Sequence, residues 1–331
     1  MNPSPPLTLF DCTPCLIRVV TDSTLRCGMA LQVYLLILRG LVSVVGIIGN
    51  VVLIQSILRL ARFKTFEIFL LGLAFSNVEE ILIVDIYDIV VNQLSWMEIS
   101  AWWCRLLKFL TVLGEIGSIA FTVIISIFRY QKLRDAERRI SQTILMDDGR
   151  AVYGFCGGSV LFALALAVPT FVTNLDGHMG NLTRRTSCPP DFFQCPRSNC
   201  PLFNHLYKYL FILLCNLLPL LIVTWTSCLI IRVLIGQQKA VHARQTVQPG
   251  SQAQTRSRRF RQSTVAILVA MAVFQVDWTL YLVLHLTSSP YTFAAWSEME
   301  FFITTTHTTI SPYVYGVGNN LFSFKALRCT G

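Results

Sequence analysis

Seven apolar stretches dominate this chain, and each is long enough to cross a bilayer. The hydrocarbon core of a membrane is about 30 Å thick, so a spanning helix needs roughly 20 apolar residues. The stretches are 31–58, 66–91, 104–130, 151–173, 205–235, 263–286 and 296–316. The first, fourth and fifth are plain. The others carry acids or hydroxyls and are assigned from length and flanks. In lipid every backbone polar group must be bonded within the segment, which selects helices. A barrel would need alternating segments of about ten residues. Composition agrees, because 53% of the 331 residues are hydrophobic and only 14% are charged, against roughly 25% charged in soluble domains. The reading is an all-α membrane protein, a seven-transmembrane helix bundle over 31–317, with tails at 1–30 and 318–331.

Positive charge favours the cytoplasmic side of a membrane. With the N-terminus extracellular and the C-terminus cytoplasmic, 18 of the 27 basic residues fall in inner loops, inner helix ends and the tail, among them Arg59, Arg129, Arg139, Arg232, Arg259 and Lys325. That bias also accounts for the run from Arg256 to Arg261, which otherwise resembles a nucleic-acid signal; no nucleic-acid partner is expected. The first thirty residues lack an apolar core with a cleavage site, so 31–58 is expected to act as the targeting signal. The segment 236–262 is rich in Gln, Arg and Ser and reads as a flexible inner loop. Cys12, Cys15, Cys27, Cys104, Cys188, Cys195 and Cys200 fall outside, where disulfides persist. Cys329 near the end is a candidate for palmitoylation. Asn181-Leu-Thr183 is a glycosylation sequon on the expected outer side.

Charges within spans are costly and mark function. Cys104, Lys108, Thr111, Glu115 and Ser118 recur at spacings of three and four and so share one helix face. A face with Lys, Thr, Glu and Ser is expected to line an interior cavity; the alternative is a Lys108–Glu115 link that glues helices. Further inward candidates are Glu79, Glu80, Asp85 and Asp88 in the second span, Asp277 beside Trp278 in the sixth, and Glu298, Glu300 and His307 in the seventh. An anionic ligand would favour Lys108 and Arg105; a cationic one would favour Glu115 or Asp277. No nucleophile–base pair and no metal-ligand set stands out, so neither an enzyme nor a metal or cofactor protein is expected.

Several motifs in order then point to a family. Gly49-Asn50-Val-Val-Leu53 resembles GNxxL in the first span of rhodopsin-class G-protein-coupled receptors. Leu73-Ala-Phe-Ser-Asn77 resembles LAxAD, and Phe128-Arg129-Tyr130 resembles D/E-R-Y at the end of the third span. Cys104 and Arg129 stand 25 residues apart, as in that class. Pro219 resembles the fifth-span proline, and Ser311-Pro312-Tyr-Val-Tyr315 resembles NPxxY. The sixth span lacks CWxP and the fourth lacks its usual Trp. With Asn77, Phe128 and Ser311 as substitutions, the pattern looks most like vomeronasal type-1 receptors and the fish olfactory receptors related to class A.

The resemblance implies a chemosensory receptor in the plasma membrane, multi-pass, that binds a small organic odorant or pheromone and activates a heterotrimeric G protein. The alternatives are a bitter-taste-type receptor or, in a different class, a small-molecule transporter; no internal repeat supports the latter. Lys108, Thr111, Glu115 and Asp277 become the expected ligand residues. Arg129, Tyr130, Tyr315, Asn50 and Asn77 are expected to serve coupling and activation. Cys104 is implied to pair with an outer-loop cysteine, for which Cys188, Cys195 and Cys200 all qualify; Cys188 is chosen. In the wider class the third-span Arg is restrained by acids before it and at the base of the sixth helix. Here Phe128 and Arg258, Arg259 and Arg261 stand in those places, so both ionic restraints are expected to be absent and Phe128→Asp to lower ligand-free signalling. Asn77 likewise removes the charge that holds sodium in the class.

Overall fold

The computed structural model describes residues 13–86, 101–138, 148–173, 193, 200–244, 251–288, 293, 295–319 and 321–322, with the backbone alone at 13–30, 32, 85–86, 101, 136–138, 238–244 and 251–261. Seven helices and no strand occur among the described residues. We label them α1 (Thr13–Leu58), α2 (Thr65–Ile86), α3 (Ala101–Arg138), α4 (Gly149–Ala167, followed by a 3-10 turn Val168–Phe171), α5 (Leu202–Phe211, a π-helical turn Ile212–Leu217, and Leu218–Arg244), α6 (Ser251–Thr287) and α7 (Trp296–Gly318). The chain divides into two compact units, Met1–Leu41 and Val42–Gly331. The first holds the beginning of α1; the second holds the rest of α1 and all of α2 to α7.

The helices coincide with the seven expected spans, with differences at the ends. Helix α1 begins at Thr13, well before the expected start at 31, and Pro14 lies in its first turn, where a missing N–H breaks no helical bond. The expected inner loop is the clearest correction. Helix α5 continues to Arg244 and α6 begins at Ser251, so most of 236–262 is helical. Gln, Lys, Arg and Ala are good helix formers; α5 passes through Gly236, and Pro249 is the segment's one proline. Five helical segments are long and apolar enough to span by composition alone: Val33–Leu58, Trp102–Asp135, Gly149–Phe171, Leu202–Gln237 and Gln262–Thr287. Helices α2 and α7 are not among them. Their acids and hydroxyls turn inward instead: Glu80, Thr305, His307, Thr308 and Ser311 are all buried.

Helix α7 contains Pro312. Proline has no N–H, so the carbonyl of Thr308, four residues back, loses its usual helical donor. Asn50 of α1 supplies one, its Nδ2 donating to Thr308 O at 3.0 Å and to Gly46 O at 2.9 Å. The Asn50 side-chain oxygen accepts from Asn77 Nδ2 at 3.1 Å. Asn77 also donates to Ser311 Oγ at 3.1 Å and accepts from Ser118 Oγ at 2.8 Å. Helices α1, α2, α3 and α7 are thus joined by one chain of hydrogen bonds, and its four side chains are at most 2% exposed. Gly49 belongs to the same junction. A Cβ there would run into the ring of Tyr313 and into Pro312, and the Tyr313 hydroxyl donates to Val45 O at 2.7 Å. Gly72 plays the equivalent part between α2 and α3, where a Cβ would enter the Phe121 ring.

Asn77→Ala removes three hydrogen bonds between helices. Bonds of this kind in membrane bundles average about 0.6 kcal/mol, so a loss of about 2 kcal/mol is expected, read as a lower melting midpoint of detergent-purified protein. An unchanged midpoint would show that the chain of bonds contributes nothing. Gly72→Ala is expected to lower the midpoint too, by overpacking worth about 1–3 kcal/mol, and Phe121→Leu in the same molecule should restore part of it.

Candidate functional site

Two clusters occupy the two ends of the bundle, and α3 connects them. At the Cys104 end, the face foreseen on α3 is buried: Cys104, Lys108, Glu115 and Ser118 are all 5% exposed or less. Thr111 is half-buried, and its hydroxyl donates to its own helix at Leu107 O, 3.0 Å away. Glu115 is reached by the hydroxyl of Tyr281 from α6, which is hydrogen-bonded to its carboxyl. The carboxyl of Glu300 from α7 lies within electrostatic reach, as does Glu80 of α2, with Glu79 beside Glu80. Glu300 accepts from Trp296 Nε1 at 2.9 Å, and His285 Nε2 lies 3.5 Å from the other carboxyl oxygen.

Aromatic rings continue from this cluster into the core. Tyr281 lies 4.2 Å from His285 and 5.0 Å from Trp278, and Trp278 lies 5.9 Å from Phe274. Phe193, between α4 and α5, is buried and packs on His285, Tyr207 and Phe211. The structure does not bring Asp277 to Glu115. Asp277 is buried and its carboxyl takes the backbone N–H of His307 on α7. The foreseen Lys108–Glu115 link does not form either, since Glu115 is engaged by Tyr281 and faces other carboxyls. A groove of about 320 Å³ between α3, α4 and α5 has a different character. It is lined by apolar residues such as Ile119, Val123, Phe162 and Pro219 and contains none of these carboxyls.

Sequence reasoning singled out Glu115, Glu300 and Glu80 but passed over Tyr281, His285, Trp296 and Asn216. A signal was present for the first two: Trp278, Tyr281 and His285 follow at spacings of three and four, one face of α6. Asn216 gave none. It is buried in a π-helical turn shortly before Pro219, in which the N–H of Leu218 reaches Leu213 O five residues back. Such a turn shifts the register of all that precedes it.

At the other end of α3, the expected absence of ionic restraint meets a neutral one. Arg129 donates through Nη2 to Asn319 Oδ1 at 2.8 Å, just past α7. Ser263 of α6 donates to the same oxygen at 2.7 Å, and Asn319 Nδ2 donates to Tyr315 O at 2.8 Å. The guanidinium also lies 3.5 Å over the ring of Phe66 of α2. Phe128, in the place of the acid, is 2% exposed and packs on Phe66 and Phe69. Lys132 Nζ lies 5.4 Å from the centre of its ring, so an Asp there would be buried with Lys132 and Arg129 close by, and Phe128→Asp would change packing and charge together. Tyr315 is buried against Phe66, and Tyr130 is half-buried with Arg134 above its ring.

Asn50 and Asn77 lie between the clusters, in the chain of hydrogen bonds that starts at Thr308. Asn77 donates from its amide nitrogen to Asn50 and Ser311 and accepts from Ser118, and a neutral amide with serine hydroxyls is a poor ligand set for a hard cation. These residues do not fit the sodium ion of the wider class. Cys104 and Cys200 are both disulfide-bonded. Cys188, Cys195, the sequon at Asn181 and Cys329 lie outside the described residues.

Residues 49–317 match the family model described as 7 transmembrane receptor (rhodopsin family). The chain is 24% identical over 255 residues to C-C chemokine receptor type 3 of Macaca mulatta, and equally to that of Macaca fascicularis. Each alignment covers 76% of this chain and 63% of the relative, so the match spans less than two thirds of those proteins. The crystal structure of squid rhodopsin superposes with a TM-score of 0.67 at 16% identity, covering 87% of this chain and 77% of that one, and shares the fold. With most of its length inside the family match, the chain belongs to the rhodopsin family of seven-transmembrane receptors, multi-pass proteins of the plasma membrane.

Proposed function

We propose that this protein is a chemosensory G-protein-coupled receptor: a small organic odorant or pheromone binds at the Cys104 end, and a heterotrimeric G protein is engaged at the Arg129 end. One observation carries the reading. A single helix, α3, places a buried polar and aromatic cluster at one end and a hydrogen-bonded arginine clamp at the other. The first is built to take a small molecule, because its groups are enclosed by α2, α3, α6 and α7. The second ties α3 to α6 and α7, so loosening it frees the end of α6. Binding shifts the equilibrium only as far as the ligand prefers one arrangement over the other. The motif pattern favours the vomeronasal type-1 and fish olfactory branch within the family. The named relatives are receptors for chemokines, whereas the enclosed cluster here favours a small ligand.

In this reading the N-terminus is extracellular, and Cys104 opens the outer end of α3 with Cys188 as its partner. Asn181 is glycosylated. Epitope tags test the orientation: an N-terminal tag is expected to be reachable on intact cells and a C-terminal tag only after permeabilisation. Both tags on one side would reject it.

The central test is nucleotide exchange on a purified G protein, with the receptor in lipid nanodiscs and acidic, neutral and amine odorants supplied in turn. Asn319→Ala removes the clamp without placing a charge in the core. It is expected to raise ligand-free exchange at least twofold, and Ser263→Ala to raise it less. Unchanged or lower exchange in Asn319→Ala would show that the clamp does not restrain signalling. Replacing sodium by choline at fixed ionic strength is expected to change ligand potency less than twofold, given the committed Asn77 amide.

A further inference from the structure

At the Arg129 end of the bundle, α5 and α6 carry positive charge that their own segment does not balance. Seven basic residues and no acid stand between 232 and 262, and the sequence holds no Asp or Glu anywhere from 192 to 276. Three of the seven border the apolar spans. Arg261 stands one residue before the span Gln262–Thr287, Lys239 two residues past the span Leu202–Gln237, and Arg232 five residues short of the end of the latter. This is headgroup depth, which a long Arg side chain reaches from a turn or two inside by snorkelling.

The helical repeat divides these residues between two faces. Val265, Val269 and Val276 of α6 are exposed, which on a spanning helix marks the side toward lipid. Positions 261 and 258 precede Val265 by four and seven and lie on that face. Positions 259 and 256 precede Ser263 by four and seven and share the face that turns to Asn319 instead. On α5, Leu221 and Trp225 are exposed. Arg232 follows Trp225 by seven and is itself exposed, and position 239 is seven further on. Two contacts set the antiparallel register of the pair: Thr224 donates to Gln275 Oε1 at 2.7 Å and Ser227 to Met271 Sδ at 3.3 Å. Continued along both helices, this register brings position 239 level with 259 and 260, between 258 and 261. Positions 232, 239, 258 and 261 thus gather on the lipid side of one helix pair.

A partner for this side needs an anionic head at the level of the basic residues and acyl chains along the exposed apolar ones below them. Three of the four residues are Arg, whose planar fork meets phosphate through two parallel hydrogen bonds. A phosphate monoester carries about −1.5 to −2 charges at neutral pH, more than the single phosphodiester of an ordinary phospholipid. We propose that α5 and α6 bind a phosphoinositide, a phospholipid with phosphate monoesters on its head, between Arg232, Lys239, Arg258 and Arg261. This site serves whichever odorant the receptor takes. From the receptor reading it needs only the orientation that puts the Arg129 end at the cytoplasmic leaflet, where juxtamembrane basic clusters meet anionic lipid. The lipid stands on the side of α6 opposite the bond from Ser263 to Asn319.

The test titrates the purified full-length protein, in neutral detergent micelles at physiological salt, against fluorescent phosphatidylinositol bisphosphate read by polarisation. Unlabelled phosphatidylinositol bisphosphate, phosphatidylserine and soluble inositol trisphosphate compete in turn. Joint replacement Arg232→Gln and Arg261→Gln on the lipid side is expected to weaken binding about thirtyfold, from two charges beside an anionic head. Joint replacement Arg256→Gln and Arg259→Gln removes the same charge from the other face and is expected to weaken it about threefold or less. Equal losses from the two pairs would reduce the site to diffuse attraction and overturn it. Phosphatidylserine that competes as well as the bisphosphate would overturn the monoester assignment, and inositol trisphosphate that does so would overturn the lipid one. Melting midpoints without lipid separate loss of binding from loss of fold. Should Arg232→Gln lower the midpoint, the pair Lys239→Gln and Arg261→Gln carries the same expectation. The assay contains neither odorant nor G protein, so its failure leaves the receptor reading standing.

Discussion

The carbonyl of Thr308 is the point on which the bundle turns. Pro312 strips it of its helical donor, and lipid offers no substitute. Asn50 fills the gap from another helix, and its own oxygen then needs a donor, which Asn77 provides. Asn77 in turn takes Ser118 and gives to Ser311. Each polar group placed to satisfy the previous one creates a demand met by the next helix. Four helices are thereby fixed in register by a need that begins with one proline. In a bilayer this matters more than apolar burial, because lipid tails are as apolar as the core and drive no helix association. Close approach by Gly49 and Gly72 is the packing side of the same constraint.

The register so fixed sets the positions of both functional clusters. Ser118 in the network is three residues from Glu115, and Ser311 is eight from Asn319. A shift of one turn at the network would carry Glu115 about 5 Å along the axis and away from Tyr281. Carboxyl groups gather at the Cys104 end in Glu80, Glu115 and Glu300, while the network between the clusters holds amides and hydroxyls.

How much of this was legible in the sequence depends on distance along the chain. The seven spans, the inward face of α3 and the inner placement of Asn50, Asn77 and Ser311 follow from local patterns or short motifs. The bond from Asn50 to Thr308 joins residues 258 apart, and no local pattern encodes it. Asn319 was invisible for a related reason. It lies beyond the apolar stretch, as an ordinary helix-terminal amide, and acquires meaning only because Arg129 and Ser263 arrive from two other helices. The helical ends of α5 and α6 were missed because polarity was read as disorder. The composition of 236–244 disfavours burial without disfavouring helix, and those are separate properties.

The two clusters share α3, α6 and α7, and this sharing limits how one can inform the other. Helix α6 carries Tyr281 at one cluster and Ser263 at the other, 18 residues or about 27 Å apart. Helix α7 carries Glu300 and Asn319 in the same way, with Pro312 between them. A rigid element with two positions is what coupling over that distance requires. Helix α6 reaches both clusters. At the Arg129 end a single oxygen, Asn319 Oδ1, accepts both from the arginine and from Ser263, so α6 cannot leave without returning that oxygen to Arg129 alone. The restraint holds one charge-assisted bond from Arg129 to a neutral amide and one neutral bond from Ser263, with no carboxylate in it. Tyr281, bonded to Glu115, is the contact by which the Cys104 end touches the same helix.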